Sequence, residues 1–221
     1  MLCDFHTHTF LSDGALSPLE LIRRAHVCGY RAIALTDHVA LGSMARIIEE
    51  IGQDCALARA YWDILAIPGV ELTHLPPQAI DDAARKAKEL GAWLVVVHGE
   101  TTSEPVEEGT NLAAVLSSSV DILAHPGLIT PEEAKIAAQK GVFLEITARH
   151  GHCLTNEHVA HLALKSGADL IINSDAHDSP DLLTLESAIN LARAAGLDEA
   201  ASRQAFDVNP LTLIARFPQR L

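Results

Sequence analysis

Residues 120–147 read VDILAHPGLITPEEAKIAAQKGVFLEIT, and they contain one complete structural unit. The apolar run 120–125 predicts a buried strand. Thr130 and Pro131 then open a helical pattern over 131–140, with Thr as the cap and Pro in the first turn. Gly141 stops the helix, and a second apolar run follows at 142–147. Strand, helix, glycine, strand is the local pattern of a parallel βα unit.

Working outward, the same pattern recurs along the chain. Apolar runs rich in β-branched residues lie at 2–6, 32–36, 64–71, 93–98, 120–125, 142–147 and 169–174. Helical patterns lie between them at 17–28, 77–90, 131–140, 156–166 and 181–195, each ending at or beside a glycine. Strand starts recur at intervals of roughly 22–32 residues, the length of one βα unit. An open doubly wound sheet uses the same local pattern. The polar residues favour a closed barrel, because each candidate ligand stands at or just past the C-terminal end of its strand. In a βα barrel those ends meet at one mouth, where active sites are built.

Composition fits this reading. Aromatics are only 4% of 221 residues, so the core must be mostly Leu, Ile, Val and Ala, as in a helix-wrapped parallel sheet. The formal net charge of −13 repels nucleic acid and acidic membranes at long range, and long nucleic acid is disfavoured as a partner. Cys3, Cys28, Cys55 and Cys153 are scattered without CxxC spacing, so buried thiols are expected rather than a disulfide framework or a zinc knuckle. The N-terminal residues do not read as a signal peptide, and no apolar run approaches the ~20 residues of a membrane span. A soluble, cytoplasmic chain is expected. With no linker or low-complexity tract, residues 1–221 are expected to form a single domain. The longest irregular stretch, 99–111, carries Glu100, Glu104, Glu107 and Glu108. It reads equally as a loop over the mouth or as a solvated surface loop. The apolar residues in 206–217 suit either the bottom of a barrel or a subunit contact.

Twelve histidines stand out, and their positions matter more than their number. His6 and His8 are two apart on the first strand and point the same way. Asp13 follows in Ser12-Asp13-Gly14. The next strands end in Asp37-His38, Glu71, His98 and His125-Pro126, and the last in Ser174-Asp175-Ala176-His177. All are good ligands for a divalent ion. Any one alone reads as a cap or loop contact; six of seven strands ending this way does not. Buried carboxylates at Asp13, Glu71 and Asp175 would repel one another without a cation between them. Asp37 could orient a ligand beside it. Arg149 lies just past the sixth strand, either as a phosphate contact or in a salt bridge with a residue such as Glu145. His150 and His152 are candidates to protonate a leaving oxygen, and His74 has similar standing. His26, His158 and His161 sit within helical patterns and read as surface or packing residues. Cys3 and Cys153 are possible thiolate ligands.

These residues carry a resemblance. His6-x-His8, Ser12-Asp13-Gly14, Thr36-Asp37-His38, Gly69-Val70-Glu71, His98, His125-Pro126 and Ser174-Asp175-Ala176-His177 resemble, in order, the motifs of the polymerase-and-histidinol-phosphatase (PHP) superfamily. The resemblance implies a distorted (β/α)7, TIM-like barrel with three divalent ions, which in the superfamily are zinc, manganese or iron. It implies one ion held by His6, His8, Glu71 and Asp175. Glu71 would bridge to a second ion held also by His98 and His125, and Asp13, His38 and His177 would hold a third. Some members have His where Asp13 stands. Three divalent ions would bring about six positive charges against three carboxylates, making the mouth attractive to a phosphate dianion. The expected chemistry is in-line attack of a bridging hydroxide on the phosphorus of a small phosphorylated metabolite, with histidinol phosphate the leading candidate. A nucleotide 3′-phosphatase or exonuclease is the alternative, and a non-catalytic metal-binding regulatory module a third reading. The oligomeric state is open.

Overall fold

Every strand that the apolar runs predict forms, and all pair in parallel. The computed structural model describes residues 2–218. Its strands are β1 (Cys3–Asp4), β2 (Ala32–Leu35), β3 (His38–Val39), β4 (Leu65–Leu72), β5 (Leu94–His98), β6 (Ile122–Ala124), β7 (Phe143–Thr147) and β8 (Leu170–Asn173). They are ordered β1-β2-β4-β5-β6-β7-β8, with β3 beside β4. Sequence order is therefore spatial order, as in a βα barrel wound in one direction. The result is a nearly closed barrel of seven parallel strands. The seam between β1 and β8 has one backbone bridge, Thr7 to Ala176. Side chains complete it: Asn173 Oδ1 accepts from Phe5 N at 2.9 Å, and Asp4 Oδ1 accepts from Ser174 N at 3.2 Å.

The strand β3 was not expected. The second apolar run closes at Leu35, and the chain resumes extended geometry at His38, where it pairs with Glu71. That register places two candidate ligands side by side.

The helices are α1 (Pro18–Val27), α2 (Met44–Tyr61), α3 (Ile80–Glu89), α4 (Thr110–Leu116), α5 (Pro131–Lys140), α6 (Asn156–Ser166), α7 (Leu185–Ala194), α8 (Glu199–Arg203) and α9 (Asn209–Ile214). The capping signals explain several boundaries. Ser17 accepts from Glu20 N, and Thr130 and Glu133 form a reciprocal capping box. Thr184 caps α7, so that helix starts later than the pattern 181–195 suggested. The longest helix, α2, escapes the start and stop signals: Ser43 makes no side-chain cap bond and the helix ends at Trp62 instead of a glycine.

Period-two alternation splits each strand between two cores. Leu94, Val96, Ile122, Ala124 and Phe143 fill the barrel interior with Phe5, Ala34 and Ile67. Val95, Val97, Leu123, Leu144 and Ile146 face the helices. Leu213 of α9 and Phe217 join the interior cluster beside the N-terminal ends of the strands. The 206–217 stretch thus closes the bottom of the barrel. Among the described residues, no helix is long and apolar enough to cross a membrane.

Candidate metal centre at the barrel mouth

The barrel brings His6, His8, Asp13, His38, Glu71, His98, His125, Asp175 and His177 to one place. Glu71 lies at its centre. Its carboxylate is 3.3 Å from His6 Nε2, 3.7 Å from His8 Nε2, 2.7 Å from His38 Nδ1 and 3.5 Å from His125 Nε2. Asp175 lies 3.2 Å from His8 Nε2 and 3.7 Å from both His6 and His125. Asp13 lies 3.1 Å from His177 Nε2 and 3.6 Å from His38 Nε2. Four overlapping groups have ligand atoms within 4.8 Å of one another: His8, Asp13, His38 and His177; His6, His8 and Asp175; His6, Glu71 and His125; and His98, His125 and His152.

Local backbone geometry is bent to serve this convergence. His125 and Asp175 both have positive φ, 28° and 54°, a region costly for residues with a Cβ. Gly14 is required where it stands, since a Cβ there would lie 2.4 Å from the His8 carbonyl oxygen. Asp37 accepts bonds from Thr9 N, Thr9 Oγ1, Ser12 N and Ser12 Oγ. It therefore ties down the turn that carries Asp13. The neighbouring His38 ring is held instead by Thr73 Oγ1, 2.7 Å from Nδ1.

Glu145, one possible salt-bridge partner for Arg149 in the sequence, lies among the ligands instead. Its carboxylate, fully buried, is 2.8 Å from His6 Nδ1, and it accepts from His125 N at 3.0 Å and Asn173 Nδ2 at 2.8 Å. Arg149 pairs with Asp181 at 3.6 Å, not with Glu145. The signal was available: alternation along Phe143–Thr147 puts Glu145 on the inward face with Phe143, where a carboxylate needs partners.

Burial and charge pull against each other throughout the centre. Burial opposes ionisation of Glu71, but His6 and His38 hold its carboxyl well below the usual range. Burial raises Asp175 to about 6. It disfavours charged His6, yet Glu145, Asp175 and Glu71 outweigh it and raise that imidazole. Burial and the neighbouring His38 lower His8. Burial lowers His98 to about 4 and, with His125 and His98 beside it, His152 to about 3. Several buried polar atoms have no hydrogen-bond partner: His6 Nε2, both His8 ring nitrogens, both Glu71 oxygens, His125 Nδ1 and His152 Nδ1. Each such orphan costs about 1–3 kcal/mol. Clustered lone pairs from imidazole and carboxylate are what divalent cations satisfy, so the donor set fits metal ions.

The rim holds the remaining candidates. A cavity of about 50 Å³ is lined by Asp13, His38, His98, Glu104, His125, Arg149, His152, Asp175 and His177. Arg149 and His152 thus line it; His150 is exposed and does not. The 99–109 loop overhangs the mouth, with Glu104 3.5 Å from His98 Nε2 and 3.3 Å from His74 Nε2. Glu100 Oε1 ties the loop to its own end by accepting from Gly109 N and Asn111 N. His26 stacks on Trp62, and His158 Nε2 bonds the Ile129 carbonyl, so both pack as expected. Cys3 and Cys55 are buried, whereas Cys28 is exposed and Cys153 half-buried. Burial pushes the Cys3 thiol up to about 12, and Cys3 packs in the interior cluster with Phe5 and Phe217, apart from the ligand groups at the mouth.

Residues 4–140 match the PHP domain family. An uncharacterized protein of Methanocaldococcus jannaschii is 50% identical over 198 residues, covering 89% of this chain and 91% of that one. A "Probable phosphatase" of Thermoanaerobacter sp. (strain X514) is 28% identical over 216 residues, covering 90% and 88%. Among solved structures, histidinol phosphate phosphatase from Lactococcus lactis subsp. lactis, complexed with zinc, L-histidinol and phosphate, shares the fold. Its TM-score is 0.61 at 16% identity, over 89% of this chain and 94% of that one.

Proposed function

The chain belongs to the PHP domain family and is a metal-dependent phosphoesterase, and from that premise we propose that it hydrolyses a phosphomonoester of a small metabolite. The observation that carries the proposal is the convergence of six imidazoles and three carboxylates at the mouth, with buried nitrogens and oxygens that have no hydrogen-bond partner. In this reading His6, His8, Glu71 and Asp175 hold one ion. Glu71 bridges to a second ion with His98 and His125, and Asp13, His38 and His177 hold a third. Zinc is the first metal to test, since the Lactococcus phosphatase was solved with it. Bound divalent ions would neutralise phosphate charge and acidify a water to act as nucleophile.

The chain's own residues do the rest. Glu145 fixes the ring of His6 through Nδ1, leaving Nε2 aimed at Glu71 and Asp175. Arg149, half-buried on the cavity wall, forks onto the substrate phosphate once it leaves Asp181. His150 is exposed and outside the cavity lining, so as a proton donor it would reach the leaving oxygen over the rim. Histidinol phosphate is the leading candidate substrate, on likeness to the Lactococcus enzyme. We also take residues 1–221 as one barrel domain, because Leu213 and Phe217, well past the family match, pack inside the barrel.

The test is turnover of histidinol phosphate, other phosphomonoesters, mononucleotides and single-stranded oligonucleotides with zinc, manganese and iron. Phosphomonoester hydrolysis should vanish on chelation and return with metal. Activity that survives exhaustive chelation would overturn the metal reading; activity confined to oligonucleotides would overturn the substrate class.

A further inference from the structure

We propose that His152 is a metal ligand, joining His98 and His125 around the second ion, and not a proton donor. This rests on the reading of the mouth as a metal centre and adds a tenth protein ligand to the nine named above.

Geometry carries the inference. Ligand atoms of His98, His125 and His152 all lie within 4.8 Å of one another. Two nitrogens on one tetrahedral zinc ion lie about 3.4 Å apart, so side-chain shifts of about 1.4 Å or less bring the three imidazoles onto one ion. The rings converge edge-on instead of stacking. His98 and His125 are 4.5 Å apart at 71°, His125 and His152 4.4 Å at 56°, and His98 and His152 5.9 Å at 79°. His152 is only 9% exposed, and its Nδ1 is buried without a hydrogen-bond partner.

The position is also built. Asn156 clamps the returning chain to the end of β7, accepting from Thr147 N at 3.2 Å and donating to Thr147 O at 2.8 Å. Cys153 N closes the turn onto Arg149 O at 3.0 Å. Gly151 sits at φ 89°, the left-handed region that favours glycine, and its backbone runs close beside Ser103 of the 99–109 loop. Glu104, next to Ser103, lies 3.5 Å from His98 and 4.0 Å from His152. A carboxylate on the solvent side of three imidazoles adds the negative charge a cation requires.

The test loads the full chain with zinc or cobalt, removes free metal, and measures ions per chain and the cobalt absorption spectrum. Compared are the parent protein, His152→Ala, His152→Gln and His150→Ala. Unfolding curves in chelator establish that each variant folds, and Gln supplies a same-size replacement should Ala not fold. Both His152 variants should lose one ion per chain, or bind it at least tenfold more weakly, with an altered cobalt spectrum. His150→Ala should match the parent. Unchanged stoichiometry, affinity and spectrum in the His152 variants overturns the proposal and leaves the metal centre standing. A parent chain that binds no divalent ion overturns both.

Discussion

At the residue scale, the side chains behind the ligands decide how firmly the site is held. Glu145 is the clearest, since one buried carboxylate orients His6, receives the His125 backbone and engages Asn173. Glu145→Gln keeps the shape but replaces one acceptor with a donor. It should weaken binding of the ion at His6 by about 10–100-fold, measured by competition with a coloured chelator. Glu145→Ala should also cost about 3–5 kcal/mol of stability, because it strands buried partners. Asp4 offers a pH test. Burial raises its carboxyl from 3.8 to about 7, against bonds from Ser174 and His6. A raised carboxyl favours the folded state only while protonated. Its contribution is complete below pH 3.8, is lost as pH climbs to about 7, and stays lost above. In chelator, Asp4→Asn should therefore gain on the parent by a few kcal/mol over that window. Denaturation curves at several pH values check this; a difference that does not vary with pH would sink it.

At the element scale, the strands and five helices were legible, whereas β3, α2 and the short helices α4, α8 and α9 were not. Capping residues and glycines marked five helices, and alternation marked the strands, because both are local effects. The helix α2 was missed because its ends carry neither signal. The strand β3 was missed because its two residues are extended only through pairing with β4. The last helix shows what packing adds. Leu213 and Phe217 are buried in the barrel interior, and Phe217 lies 6.5 Å from the Trp93 ring. Leu213→Ala should cost about 2–5 kcal/mol and Phe217→Ala about 3–5 kcal/mol, measured by urea denaturation. Both sit at the opposite end of the barrel from the mouth, so KM for the best phosphomonoester should hold. A large KM change with little loss of stability would contradict that assignment.

At the scale of the whole molecule, a chain of net charge −13 concentrates its buried carboxylates and imidazoles at one mouth. Cations bound there stabilise the folded state alone. At a hundredfold excess over Kd each such site is worth about 2.7 kcal/mol. For a chain of this size that is roughly 5–10 °C in unfolding temperature. Differential scanning fluorimetry with and without chelator should show a drop of at least that size, restored by metal; an unchanged midpoint would argue against ions at the mouth. The sequence by itself determined the parallel βα order, the barrel and the ligand types, because strand periodicity, helix caps and residues at strand ends are all written locally. Only the tertiary structure decided which candidate ligands lie within reach of one another, that Glu145 contacts His6 while Arg149 pairs with Asp181, and that the His152 ring lies beside those of His98 and His125. Those choices depend on register and on backbone turns between segments far apart in the chain, such as the His38–Glu71 pairing and the left-handed His125 and Asp175. Distances of that kind exist only once the barrel has closed.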